Sequence, residues 1–87
     1  MMTGEDLKET YFRRRRENEE LRKFTSLFEG QPWYAVGETQ QQCNAEDGSR
    51  LLVYATGNDG VVICVITAAG EEYVFEGGIH AAHQADS

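Results

Sequence analysis

The chain has 87 residues and a mass of 9.8 kDa, with 40% hydrophobic residues, 26% charged residues and a formal net charge of −7. That length holds one domain, whose small core buries only about 60–65% of the surface the unfolded chain exposes. No apolar run approaches the ~20 residues of a membrane-spanning helix. The acidic start Met1-Met2-Thr3-Gly4-Glu5-Asp6 lacks the basic and apolar regions of a secretory signal, so the expectation is a cytoplasmic protein without membrane attachment.

Residues 4–29 are predicted to form one helix. Thr3 is placed to cap its start, with Asp6 three positions on as in a capping box. Glu5 and Asp6 suit the positive end of the helix dipole, and Arg22 and Lys23 suit the approach to its negative end. Gly30 supplies a left-handed residue beyond the last turn, and Pro32 forbids continuation. Leu7, Tyr11, Leu21 and Phe28 follow a 4-3 spacing, but its remaining positions are Arg14, Asn18 and Thr25. The apolar face is thus interrupted between Arg13 and Glu20. A surface helix normally keeps its stripe continuous, so the middle turns are expected to be solvated or to meet a charged partner. Glu9–Arg13, Arg13–Glu17, Arg15–Glu19 and Arg16–Glu20 are also spaced as i,i+4 ion pairs.

After Pro32 the hydrophobic period shortens to two. Trp33-Tyr34-Ala35-Val36 opens a strand running to about Thr39, and the polar stretch from Gly37 to Ser49 follows. Arg50–Thr56, Val61–Thr67 and Tyr73–Phe75 read as further strands. Gly57-Asn58-Asp59-Gly60 and Ala69-Gly70 are the turns between them. Short turns imply an antiparallel meander of about four strands over residues 33–76. The expected architecture is α+β, with one long N-terminal helix packed on that sheet, a single domain over 1–78 and a flexible tail over 79–87.

One helix, about 10 Å wide, cannot cover both faces of a sheet roughly 19 Å across. Leu51, Val53 and Ala55 alternate with Leu52 and Tyr54, so both faces of that strand carry apolar side chains. A homodimer with Leu52 and Tyr54 in its interface is the expected cover.

Charge divides between the halves. From Glu5 to Glu29 acids and bases balance, whereas beyond Gly30 only Arg50 opposes the acids and the whole deficit resides there. Two surfaces follow as candidates. Arg13, Arg14, Arg15 and Arg16 could neutralise phosphates, but four consecutive helical residues point all around the circumference and acidic neighbours cancel their field. The acidic half, with Glu71, Glu72 and Glu76 prominent, suits a basic protein partner, including one whose nucleic-acid site an acidic surface imitates. Solubility alone accounts for the same composition.

Catalytic and metal motifs are thin. Cys43 and Cys64 do not make a disulfide framework. Cys64 reads as a buried hydrophobe, and Cys43, in polar sequence, as the more accessible thiol. His80 and His83 lack the second close ligand pair of a structural zinc site, and no Ser-His-Asp arrangement or phosphate loop is present. The reading is a non-enzymatic protein-binding module with no cofactor and no metal, using Arg13–Arg16 and the acidic residues. The alternatives are a nucleic-acid-binding regulator using the arginines, or a small enzyme or metal-binding protein.

Overall fold

The computed structural model describes residues 3–57 and 60–78. The helical segment begins with α1 (Gly4–Glu17), started by the expected capping box: Thr3 Oγ1 accepts from Asp6 N, and Asp6 Oδ2 accepts from Thr3 N. It does not continue as one rod. Asn18 turns to an extended backbone (φ −121°, ψ 114°), closing α1 with its N–H and starting α2 (Glu19–Arg22) with its side-chain oxygen on Leu21 N at 3.1 Å. A second step at Phe24 introduces α3 (Thr25–Phe28). Asn competes well for backbone groups outside a helix, which makes it a strong cap and a weak interior residue. Gly30 then takes the left-handed conformation expected of it, with φ 81°.

The breaks change the ion pairs. Glu19 and Glu20 lie past the kink, where they pair with Arg22 at 4.0 Å and Lys23 at 3.0 Å on their own short helix. Arg15 and Arg16, before the kink, were the expected partners.

Five antiparallel strands follow in chain order: β1 (Trp33–Ala35), β2 (Gln40–Asn44), β3 (Arg50–Ala55), β4 (Gly60–Ile66) and β5 (Glu72–Gly78). The architecture is α+β, with one strand more than the sequence pattern indicated. The extra strand is β2, which arises inside the polar stretch. Its register sets Trp33 against Cys43 on one side and Leu51 against Cys43 on the other. The Gly57–Gly60 turn is only partly described; Thr56 N donates to Gly60 O at 2.8 Å across it.

The core lies between the helical layer and one sheet face. Leu7, Tyr11, Leu21 and Phe28 from the helices meet Cys43, Leu51, Val53, Val61, Ile63 and Val65 from the strands. Each large apolar side chain so buried contributes about 1.5–3 kcal/mol. Cys43, expected to be accessible, is fully buried, because the period of two turns it inward between Gln42 and Asn44. Its thiol faces the carbonyls of Phe28 and Gln31 at 3.9 and 3.7 Å. Gly4, in the first turn of α1, packs against the end of the Gln41 side chain, which would have to shift to admit a Cβ. Among the described residues, no helix is long and apolar enough to cross a membrane.

Candidate functional site

The four consecutive arginines separate as helical geometry requires. Arg14 is buried, and its Nη1 donates to the carbonyls of Val61 at 2.9 Å and Phe75 at 3.5 Å. It therefore caps the seam between β4 and β5 from the helix side. Burial lowers its pKa first, and neighbouring Arg13 lowers it further. Arg15 lies over Tyr11 and Phe12, 5.7 and 5.0 Å from their ring centroids. Arg16 is exposed and Arg13 partly so. The interrupted stripe is thus not a solvated gap: Arg14 occupies its middle position and meets backbone carbonyls of the same chain. Arg14, expected as a partner contact, is thus buried against the sheet of its own chain.

Beside Arg15, the edge-on rings of Tyr11, Phe12 and Trp33 (centroids 5.1–6.1 Å apart) line a shallow cleft of about 190 Å³ with Glu29 and Gln31. Burial pushes the Tyr11 phenol pKa up, partly offset by a hydrogen bond from Arg15.

On the sheet, the acidic residues separate into two places. The β2–β3 and β4–β5 turns emerge at the same end, beyond the Arg50–Ile66 pair, and are stitched together where Ala68 N donates to Ser49 Oγ at 3.0 Å. Glu46 and Asp47 from one turn, Glu71 from the other and Glu72 at the start of β5 are all exposed there. Ser49 N donates to Asp47 Oδ1 at 2.9 Å, which holds the Asp47 carboxyl below its usual range. Glu46 and Asp47 escaped the sequence reading because the turns that join them to Glu71 are some 20 residues apart in the chain and meet only through strand register.

Glu76 lies farther along β5, on the sheet face away from the helices. That outer face carries three cross-strand rows. The central one is Tyr34-Gln42-Leu52-Cys64-Val74, flanked by Asn44-Arg50-Ile66-Glu72 and Gln40-Tyr54-Val62-Glu76. Leu52 and Tyr54 are half-buried, while Val74 is 51% and Tyr34 44% exposed. Val62 and Cys64 are nearly covered, being short side chains on an inner strand between taller neighbours. The Cys64 thiol donates to Glu72 Oε2 at 3.5 Å; burial, then that carboxylate, pushes its pKa up to about 11. It is a protonated, weakly nucleophilic thiol at neutral pH. On β2, Gln42 Nε2 donates to Asn44 Oδ1 and Asn44 Nδ2 to the Tyr34 hydroxyl, at 2.9 and 3.0 Å. The structure thus brings Glu72 and Glu76 onto the same face as Leu52, Tyr54 and Arg50, whereas Arg13, Arg14, Arg15 and Arg16 belong to α1 on the helical side.

Among the described residues no group of three or more His, Cys, Asp or Glu is arranged to hold a metal ion. His80 and His83, and the tail expected over 79–87, lie outside the described residues. Comparison with family models, with curated proteins and with solved structures gives no match to this chain.

Proposed function

We propose that this protein is a small non-enzymatic binding module whose acidic turn end engages a basic protein partner. One observation carries the reading: Glu46, Asp47 and Glu71, on two turns held by the Ser49–Ala68 hydrogen bond, and Glu72 at the start of β5 are exposed together at one end of the sheet. Arg50 is the sole Lys or Arg beyond Gly30. Carboxylates fixed at a rigid sheet end produce a directed negative field that speeds encounter with a basic surface. A cleft that ordinarily takes nucleic acid is the sharpest form of such a target, and the module then acts as an inhibitor by occupying it.

Affinity capture with the full chain as bait tests this. At low salt it should retain a basic protein, and retention should fall steeply as salt screens the exposed charges. The double reversal Glu46→Lys and Glu71→Lys, both in turns and outside the strands, should release it. An unchanged yield would reject the acidic end as the contact.

Direct nucleic-acid binding through the arginines is the competing reading. It has Arg13, Arg15 and Arg16 to work with, since Arg14 is committed to the sheet. A duplex or single strand shifted by the wild type at low salt, and released by Arg13→Ala with Arg16→Ala, would favour it over the acidic end.

A further inference from the structure

We infer that the outer face of the sheet docks a second copy of this chain, related by a two-fold axis that runs along the strands between β3 and β4. The helical layer covers only the inner face, and the molecule is 21 Å through its shortest dimension, the depth of one helix layer on one sheet. The outer face spans five strands at ~4.8 Å spacing and three side-chain rows, and the proposed axis overlaps four of the strands, β2–β5, which is about 400 Å² per copy. Two copies bury about 800 Å² in total, below the ~1,000 Å² of a stable interface, so the association is expected to be weak and reversible, at the upper end of the micromolar range.

Polarity across the face selects the partner and its orientation. One margin, on β5, is acidic through Glu72 and Glu76. On the other side of the apolar centre, β2, next to the edge strand β1, presents the amides of Gln40, Gln42 and Asn44 and no charge. The proposed axis lays β5 of one copy over β2 of the other, so that Glu72 faces Asn44 and Glu76 faces Gln40. It also sets Cys64 over Leu52, Val62 over Tyr54 and the exposed Arg50 over Ile66, at the ~10 Å separation of packed sheets. The other face-to-face two-fold, perpendicular to the strands, lays β5 over β5 and opposes Glu72 to Glu76, a like-charge contact that disfavours it. The orientation along the strands thus sets the acidic side chains against amides and not against one another. Glu46, Asp47 and Glu71 stay outside this contact and Glu72 alone belongs to both surfaces, so the Val74 and Gln40 variants leave the acidic turn end unchanged.

Sedimentation velocity of the full chain from about 1 to 300 μM tests it. The wild type should move from monomer toward twice its mass across that range. Val74→Glu, at a position already 51% exposed, should raise the dimer dissociation constant at least tenfold while far-UV circular dichroism stays unchanged. Gln40→Lys, facing Glu76 of the other copy, should tighten the dimer and Gln40→Glu should weaken it. If Val74→Glu fails to fold, the Gln40 pair on the polar margin decides by itself. A wild type that stays monomeric at the highest concentration, a dimer indifferent to Val74→Glu, or Gln40 variants that shift in the same direction would each overturn the proposal.

Discussion

Arg14 Nη1 donates to the Val61 carbonyl at 2.9 Å, so a charged residue closes the inward stripe of α1 over the β4–β5 seam. The helix and the far end of the sheet are held together by a side chain that sequence patterning assigns to solvent.

Replacing it tests that role. Arg14→Ala removes a hydrogen bond from a charged donor and the packing of its stem, and should lower unfolding free energy by about 1.5–3 kcal/mol in urea titrations. Arg16→Ala, at an exposed site two residues on, should change it by less than about 0.5 kcal/mol. Equal effects at both positions would show that the carbonyl contacts contribute little.

The Cys64 thiol predicts a loss of stability at alkaline pH. Its ordinary pKa of 9.0 is raised to about 11 in the fold, by burial and then by Glu72. Between these values the unfolded chain has released the proton and the folded chain retains it, so unfolding free energy falls as pH rises. Below about 9 the group contributes no slope, and above about 11 the slope flattens. Urea midpoints measured from pH 8 to 11 should therefore fall more steeply for the wild type than for Cys64→Ala. Parallel curves would remove Cys64 as the cause.

Both thiols should also react slowly with a disulfide reagent in the native protein at neutral pH. Burial raises the pKa of Cys43 as well, and both side chains are buried. Two thiols per chain should appear on denaturation, and a fast native fraction would place one of them at the surface.

Asn18 predicts a local cost. Its Oδ1 caps α2 through Leu21 N, and its extended backbone lets Leu21 reach the core. Asn18→Ala should destabilise the protein by about 1 kcal/mol, and Asn18→Asp, which keeps the acceptor, should recover most of it. A stabilised Asn18→Ala would mean the continuous helix is the better packing.

At the other end of the pH range, Asp6 carries the sign of a capping carboxylate. The Thr3 backbone N–H, then its hydroxyl, lowers the Asp6 pKa below 3.8. The group stabilises the fold above its unfolded pKa, and that contribution is lost as pH falls through the lower folded value. Helicity of the wild type should therefore decline on acidification, with Asp6→Asn starting lower and losing less.

The local signals were legible where the physics is local. Thr3 with Asp6, Gly30 and Pro32 mark the limits of the helical segment through backbone chemistry that needs no neighbour in space. The β3 and β4 runs announce themselves because both are apolar over several residues. β2 did not, since Cys43 meets the core only through pairing with other strands and is flanked in sequence by polar residues, and glutamine carries no strand preference of its own. Cys43 illustrates the reason: polar sequence neighbours point to the other face of a pleated strand and say nothing about its own surroundings.

By itself, then, the sequence determined the α+β class, the helix start and stop, the antiparallel order and the concentration of negative charge beyond Gly30. Tertiary structure alone decided that Arg14 belongs to the core side of its helix, that Cys43 is buried, and that Glu46 and Asp47 share an end with Glu71. The division has one physical origin. Capping, turn formation and periodicity act over a few residues, whereas burial of a polar side chain depends on which distant carbonyls or strands arrive to satisfy it.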